Sequence, residues 1–357
     1  MKILKKLVID GCKDISGTIK ISGAKNSIVA LIPASILTSG VCVITNVPDI
    51  SDVRILIDMM EELGSIITFE NEVLTIDNSN VQNKKINEEY AGKLRASYYF
   101  MGSLIGKYHE AEIAYPGGCV IGSRPINYHI ESFKKMGINV KNVADHYIMK
   151  TDELKGNEFY FDFPSVGATI NIMLAAILAK GKTVIYNAAK EPEIANVASF
   201  LNSMGAKVFG AGTSTIEIIG VEELHDGFVE VIPDRIEAGT YIMIGALIGN
   251  NLKIENIVEK HLESLLYKLK EAGVKYEIND NSIILSKVEH LKPVNIKTTV
   301  YPGFPTDLGQ PMSTFLTQCE GESLFEETIY ENRLRHVPHL NSMGANIQAF
   351  DKKAIII

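Results

Sequence analysis

The chain has 357 residues, of which 46% are hydrophobic and 22% are charged, a composition typical of globular proteins. This length exceeds what one hydrophobic core usually holds, so two domains are expected. The formal net charge of −8 argues against a general nucleic-acid-binding surface, which would need a basic excess.

The N-terminal segment MKILKKLVID has neither a long apolar run nor a small-residue cleavage site, so no signal peptide is predicted. The most apolar helical stretch, residues 170–179, is too short to span a bilayer, and no membrane association is expected. The four cysteines lie far apart, without the spacing of a metal site: Cys12, Cys42, Cys119 and Cys319. Few, scattered thiols suit the reducing cytoplasm, which is the expected location.

In chain order, the predicted elements recur as a helix–strand–helix–strand unit. Each unit ends with an amphipathic helix, a glycine at the position of a helix C-cap, and a strand. These glycines are separated by 73, 68, 68 and 71 residues: Gly64, Gly137, Gly205, Gly273 and Gly344. Five units of alternating helices and strands predict an α/β fold.

A second glycine in each unit is predicted to end the preceding helix: Gly40, Gly106, Gly181, Gly249 and Gly321. The two glycines lie 24 residues apart in the first, third and fourth units and 23 apart in the fifth, but 31 apart in the second. Insertions in repeat proteins collect in loops, often on the working face. The second unit is therefore predicted to carry an inserted loop around Cys119.

The inserted loop has the residues of a reactive site. Two glycines precede Cys119 and Gly122 follows it, so backbone N–H groups can turn toward an anion. Arg124 lies five residues further on. Such surroundings favour a thiolate that serves as an acid, base or nucleophile. The alternative is a small buried cysteine in a tight turn.

Polar residues also recur near the predicted start of a helix in each unit. Each is a plausible N-cap, but their recurrence indicates that several helix N-termini face one polyanionic ligand. They are Lys25 and Asn26, then Arg95, then Ser165, Val166 and Gly167, then Asp234 and Glu237, and finally Thr306 and Asp307. Weaker landmarks are His129, which could brace the loop, and the ENR segment that ends at Arg333. The chain has no GxGxxG, P-loop or HExxH motif, so dinucleotide binding, NTP hydrolysis and zinc proteolysis lack support.

From about residue 8 to the last residue, eight segments resemble the UDP-N-acetylglucosamine enolpyruvyl transferases, a branch of the enolpyruvyl transferase family. In order they are SGAKN, LRAS, PGGCVIGSRP, SVGAT, AAKEPEI, PDRIEAGT, FPTDL and ENRLRHVP. The sister branch, 5-enolpyruvylshikimate-3-phosphate synthase, does not use the cysteine loop.

The resemblance implies an inside-out α/β barrel of two domains, each with three repeated units. Residues 24–232 would form the first domain, and residues 1–23 with 233–357 the second. Substrates would bind between them, and the Cys119 loop would close over the cleft. The family pattern has six units and this sequence holds five; the sixth carries further arginines that grip phosphoenolpyruvate.

The implied reaction moves an enolpyruvyl group from phosphoenolpyruvate to the 3′-hydroxyl of UDP-N-acetylglucosamine, a step of peptidoglycan precursor synthesis. By the same resemblance, Cys119 protonates phosphoenolpyruvate and is the target of fosfomycin-like epoxides, and Asp307 takes the sugar proton. Lys25, Arg95 and Arg124 would hold carboxylate and phosphate. No metal or organic cofactor is implied, and the oligomeric state is left open.

The resemblance also implies a set of substrate contacts, in part through the main chain: Asn26, Arg124, Pro125, Ile126, Asn127, Tyr128, Ser165, Val166, Gly167, Thr306 and Ile329. Two positions depart from the family pattern. Asn127 stands where an acidic residue is usual, and Phe163 stands where some members carry a lysine.

Three interpretations stay open on the sequence alone. The first is the transferase itself, as an incomplete chain. The second is a sister enolpyruvyl transferase with a different acceptor, against which the PGGC and SVGAT segments argue. The third is an inactive sugar-nucleotide-binding remnant, which only the missing sixth unit favours.

Overall fold

The computed structural model describes residues 8–86, 88–115 and 126–357. The predictions for Cys119, Arg124 and Pro125 lie outside the described residues. Eleven α-helices are found in the described part: α1 Lys25–Ala34, α2 Ser51–Leu63, α3 Glu88–Ala91, α4 Tyr99–Tyr108, α5 Asn127–Lys135, α6 Val166–Ala176, α7 Pro192–Ser203, α8 Arg235–Ile248, α9 Glu263–Glu271, α10 Gly309–Leu316 and α11 Val337–Ser342. Short 3-10 helices cover Ser35–Leu37, Arg95–Tyr98, Glu259–His261 and Thr306–Leu308.

The strands of the described ranges form five sheets, one for each predicted unit. The strands are β1 Thr18–Lys20, β2 Val41–Thr45, β3 Ile66–Glu70, β4 Val73–Asp77, β5 Glu110–Ala114, β6 Asn139–Val143, β7 His146–Lys150, β8 Glu158–Tyr160, β9 Lys182–Tyr186, β10 Lys207–Phe209, β11 Thr215–Ile219, β12 Gly227–Glu230, β13 Leu252–Glu255, β14 Tyr276–Asn279, β15 Ser282–Leu285, β16 Ile296–Lys297, β17 Ser323–Glu326, β18 Ile347–Phe350 and β19 Lys353–Ile356.

Each sheet is built around the three antiparallel strands of one unit. In the first unit, β2 pairs with β4, and β4 pairs with β3. A further parallel strand joins four of the sheets: β12 beside β2, β8 beside β9, β1 beside β13 and β16 beside β17. In the register of the first of these, Cys42 lies opposite Gly227, so the sheet of unit one is completed by a strand nearly 200 residues later.

The five repeat glycines have the backbone conformation that the sequence predicts. Gly64, which caps α2, has a φ of 107°, and Gly137, Gly205, Gly273 and Gly344 have φ between 90° and 99°. A glycine in the left-handed conformation at this position turns the chain out of the helix, and it has no Cβ that would clash with the backbone. The apolar faces predicted for α2, α7 and α9 are buried. The predicted repeat is therefore confirmed at its helix ends.

Among the glycines predicted to end the first helix of each unit, Gly106 differs from the others because it lies inside a helix and not after one. It lies inside α4, which continues to Tyr108 and is capped by His109 in the left-handed conformation, with a φ of 59°. A Cβ at Gly106 would lie 3.0 Å from the carbonyl oxygen of Leu174, so this glycine allows α4 and α6 to pack closely. The connection between the first strand and the second helix is nevertheless longest in unit two, where residues 115–126 separate β5 from α5.

Helices occupy the interior and sheets the exterior. Nearly every residue of α1, α4 and α6 is buried, and these helices pack on one another. The outer strands, in contrast, alternate between buried and exposed positions. This layering is the inside-out arrangement that was predicted. No helix in the described ranges is both long and apolar enough to cross a membrane.

The described residues form two separate hydrophobic cores, and the chain passes between them twice. The first includes residues between Ala24 and Val231, and the second comprises Ile21 and residues from Ala238 to Ile356. Between them, residues 22–25 and 232–234 run antiparallel and exchange backbone hydrogen bonds. The domain boundaries given above stay a prediction.

Candidate active site

A cavity of about 310 Å³ opens where the two cores meet. Its walls come from the N-termini of α1 and α8, the 3-10 helix at 306–308 and the segment after β17. The lining residues are Lys25, Asn26, Asp234, Ile236, Glu237, Asp307 and Arg333. Three of the helix starts predicted to face one ligand therefore line one cavity, although they belong to two different cores.

Asp234 joins the first turns of two helices at the edge of this cavity. Its Oδ1 accepts hydrogen bonds from the N–H groups of Ile236 and Glu237, which caps α8. Its Oδ2 accepts the N–H of Lys25 at 3.0 Å, at the start of α1. Each acceptor satisfies a donor that a helix N-terminus leaves open. One carboxylate thus fixes the two helix starts relative to each other.

Lys25 and Asp307 face the cavity with their charges already paired. The Lys25 ammonium lies 3.0 Å from Asp52, in the first turn of α2. Asp307 accepts a hydrogen bond from the Arg333 guanidinium at 2.5 Å, and Arg333 also donates to the carbonyl oxygen of Thr306. The Lys25 and Asp307 side chains are 54% and 42% exposed, so both are accessible to a ligand.

A buried ion pair connects the two cores behind the cavity. Arg235, the first residue of α8, donates to Glu193 in the first turn of α7 at 3.2 Å, and both side chains are at most 10% exposed. Although burial lowers it, the carboxylates of Glu193 and Glu191 raise the pKa of the Arg235 guanidinium overall. Burial, together with the charge of Glu193, raises the pKa of the Glu191 carboxyl.

A second group of predicted residues meets where α5 and α6 pack together. Ser165 caps α6 by accepting the N–H of Ala168. A Cβ at Gly167 would lie 2.8 Å from the Tyr98 hydroxyl and 3.0 Å from the His129 ring, so only glycine fits there. Asn127 and Tyr128 begin α5, directly before His129.

His129 is the buried centre of this group. Gly102 donates its N–H to Oδ1 of Asn171, which fixes the orientation of that amide. The amide nitrogen of Asn171 therefore donates to Nδ1 of His129 at 3.1 Å, and the imidazole is neutral with its proton on Nε2. Burial, reinforced by the positive charge of Arg95, lowers the pKa of His129 to about 3.

The predicted helix starts differ in how they are capped. Ser165 and Asp234 are side-chain N-caps, as predicted. Lys25 instead follows Ala24, which provides no side-chain cap, and Arg95 and Thr306 each begin a 3-10 helix. The guanidinium of Arg95 lies 5.9 Å from the Tyr98 ring centroid, in the α5–α6 group. The predicted residues that line the cavity thus come from units one, four and five, and those around His129 come from units two and three.

Three further predicted contacts, Ile126, Thr306 and Ile329, are not among the residues that line the cavity. Ile329 follows β17 and is only partly buried. Ile126 is the N-cap of α5 and is mostly buried. The hydroxyl of Thr306 donates to Glu327 at 2.8 Å, so it is engaged within the protein. Within the described ranges no group of three or more potential metal ligands occurs.

The model of the EPSP synthase (3-phosphoshikimate 1-carboxyvinyltransferase) family matches residues 9–357. The chain belongs to this family. A UDP-N-acetylglucosamine 1-carboxyvinyltransferase 2 of Listeria monocytogenes is 48% identical over 351 residues, which cover 98% of this chain and 83% of that protein. A protein of the same name from Bacillus anthracis is 49% identical over 354 residues, covering 99% and 82%. The resemblance inferred from the motifs is thereby confirmed.

Solved structures confirm the fold class. The enolpyruvyl transferase NikO from Streptomyces tendae superposes with a TM-score of 0.85 at 21% identity, covering 97% of this chain and 83% of that one. An EPSP synthase from Acinetobacter baumannii gives a TM-score of 0.73 at 17% identity, with coverage of 97% and 82%. At such identities the likeness concerns the fold alone.

Sequence reasoning missed two acidic residues that the structure brings to the site. Asp52 pairs with Lys25, and Glu327 contacts Thr306 next to Asp307. In the sequence, Asp52 reads only as a first-turn acid of an amphipathic helix, and Glu327 as one of several acids after a strand. No local signal distinguishes either residue, because each acquires its partner from another element.

Proposed function

We propose that this protein transfers the enolpyruvyl group of phosphoenolpyruvate to the 3′-hydroxyl of UDP-N-acetylglucosamine, with release of phosphate. Support comes from family membership and from relatives of that name at 48–49% identity. The observation that carries the proposal is the cavity at the meeting of the two cores. It brings Lys25 and Asn26 of the first core together with Asp307 and Arg333 of the second.

The chemistry requires a base for the sugar hydroxyl and an acid for C3 of phosphoenolpyruvate. In the proposed reaction, Asp307 accepts the proton of the sugar hydroxyl while the oxygen of that hydroxyl bonds to C2 of phosphoenolpyruvate. Cys119 supplies a proton to C3, which gives a tetrahedral ketal that still carries phosphate. Loss of phosphate and of one C3 proton restores the double bond in the product.

Cations would hold the anionic donor in this arrangement. We assign the carboxylate and phosphate to Lys25, Arg95 and Arg124. The Lys25 ammonium is paired with Asp52, so an incoming phosphate would compete with that carboxylate. Such fixed charges stabilise developing negative charge where water is excluded.

The acceptor is assigned to the groups around the α5–α6 contact and to the segment after β17. On this proposal Asn127, Tyr128, Ser165, Val166 and Gly167 would contact the nucleotide, as would Asn26, Ile329 and the residues from Arg124 to Ile126. The two cores would be the two domains, 24–232 and 1–23 with 233–357. Because phosphoenolpyruvate and UDP-N-acetylglucosamine are made inside the cell, we place the enzyme in the cytoplasm, in peptidoglycan precursor synthesis.

The decisive experiment measures phosphate release from phosphoenolpyruvate with UDP-N-acetylglucosamine, comparing the chain with its Cys119→Ala variant. We expect release by the parent chain, loss of release in the variant, and loss of release from the parent chain after alkylation with fosfomycin. Release only with shikimate 3-phosphate would favour the sister enzyme. Binding of the nucleotide without any release would instead indicate a remnant that no longer turns over.

A further inference from the structure

Glu327 is a buried carboxylate for which the reaction chemistry gives no role. It directly follows β17, its exposure is 1%, and it lies between the segments that carry Asp307 and Ile329. The neighbouring Glu326 is different, because it pairs with Lys297 and Lys353 at the surface. A buried carboxylate is costly unless hydrogen bonds compensate for its lost hydration.

Glu327 accepts hydrogen bonds from three donors on two segments. Its Oε2 accepts the hydroxyl of Thr306 at 2.8 Å. Its Oε1 accepts the N–H groups of Ile329 at 2.7 Å and Tyr330 at 3.1 Å. One side of the carboxylate thus holds the residue before Asp307, and the other side holds the main chain at Ile329.

Glu327 and its three hydrogen-bond donors are called the clamp below. The backbone of Glu327 is itself anchored to the sheet. The N–H of Glu327 donates to the carbonyl oxygen of Lys352 at 2.7 Å. The next residue, Thr328, donates two hydrogen bonds to Thr298, from its N–H to the Thr298 hydroxyl and from its own hydroxyl to the Thr298 carbonyl oxygen. Because the backbone on both sides is held, the carboxylate has a fixed position from which to orient the two segments.

We propose that Glu327 is a positioning residue that sets the distance between the base Asp307 and the acceptor-binding segment at Ile329. The proposal rests on the function proposed above, in which Asp307 receives the proton of the sugar hydroxyl. The Thr306 contact aligns the base, and the two backbone contacts align the acceptor. A displacement of about 1 Å between reacting groups can cost roughly 100-fold in rate.

Four variants separate positioning from simple structural support. Glu327→Met keeps the approximate volume and removes the acceptors. Glu327→Gln keeps the clamp, because its carbonyl can accept from both N–H groups while its amide donates to the Thr306 hydroxyl. Thr306→Val removes one arm only, and Glu326→Met is the matched control on the adjacent surface position.

Steady-state kinetics with both substrates give the first result. For Glu327→Met we expect kcat to fall about 10- to 100-fold and the KM for UDP-N-acetylglucosamine to rise about fivefold. The KM for phosphoenolpyruvate should change less than about twofold, because other residues bind it. Thr306→Val should lower kcat without raising the nucleotide KM, Glu327→Gln should restore most of the activity, and Glu326→Met should resemble the parent.

Backbone hydrogen exchange gives a second result that does not depend on turnover. The amides of Ile329 and Tyr330 should exchange faster in Glu327→Met than in Glu326→Met, and Glu327→Gln should keep them protected. Unchanged protection in Glu327→Met would overturn the proposal. Equal losses of activity in Glu327→Met and Glu326→Met would also overturn it. The same holds if the kcat of Glu327→Met falls only because a smaller fraction of the enzyme is active, with both KM values unchanged. A parent chain that releases no phosphate would refute the proposed function, while the exchange data would still test the clamp.

Discussion

At acid pH the protein should lose folding stability, and part of that loss should come from protonation of His129. Replacing His129 with glutamine should remove most of this part. The neutral imidazole is fixed by Asn171, whose amide nitrogen donates to Nδ1, so a proton added there would face another donor. Burial and the charge of Arg95 lower the pKa of this histidine to about 3, from 6.5 in an exposed histidine. The glutamine carbonyl can still accept from Asn171, but glutamine does not titrate.

The direction in which His129 changes the free energy of unfolding with pH follows from proton linkage. Because the folded-state pKa lies below the unfolded one, His129 contributes stability above pH 6.5 that is lost as the pH falls toward 3. Each pH unit in this window removes about 1.4 kcal/mol, so about 3 kcal/mol is lost by pH 4. This loss is a large part of the stability of an ordinary domain.

Urea unfolding at several pH values between 4 and 7.5 would measure this component. We expect the free energy of unfolding of the parent chain to fall more steeply with decreasing pH than that of the His129→Gln variant. The difference between the two free energies should therefore change by about 3 kcal/mol by pH 4. Replacement of the exposed His339 provides the control. Parallel curves for parent and variant, or an NMR titration showing His129 protonated near pH 6, would refute the reasoning.

Three further predictions test the packing and the caps. Glu193→Met leaves the buried Arg235 without its ion-pair partner and should cost about 3 kcal/mol in urea unfolding, whereas a cost below about 1 kcal/mol would show the pair to be screened by solvent. Gly344→Ala, at a φ of 99° with open space around the new Cβ, should cost about 1 kcal/mol. Gly64→Ala should cost clearly more, because a backbone oxygen lies 2.6 Å from its Cβ; equal melting-temperature shifts would contradict this. Ser165→Ala should destabilise by about 1 kcal/mol through loss of the α6 cap, measured against Ser165→Gly, which should cost only a few tenths.

The sequence predicted the parts of the fold that depend on neighbouring residues. The apolar spacing of Val53, Leu56 and Met60 reflects the period of a helix, and these residues are buried as that period requires. The left-handed turn at Gly64 also depends on local sterics, so it could be recognised at each repeat. The same local reasoning failed at Gly106, where the small residue serves the contact of α4 with α6 and not a turn.

The composition of the candidate site was predicted in part, but the internal partners of its residues were not. Motifs identified Lys25 and Asp307 as residues of one site, and the cavity lining includes both. Asp52 and Glu327 were missed, since the first acquires its role through Lys25 and the second through Thr306. These partners come from other helices and loops, and no spacing along the chain encodes them.

The sequence by itself determined the repeated unit, the ends of most of its helices and the residues of the family motifs. All of these depend on side-chain periodicity, turn sterics or short segments, which act over a few residues. Only the tertiary structure decided that β12 completes the sheet of unit one, that Asp234 caps both α1 and α8, and that His129 is held neutral by Asn171. The physical reason is that hydrogen bonds and burial between distant segments depend on how the units pack, and a single sequence does not show that packing.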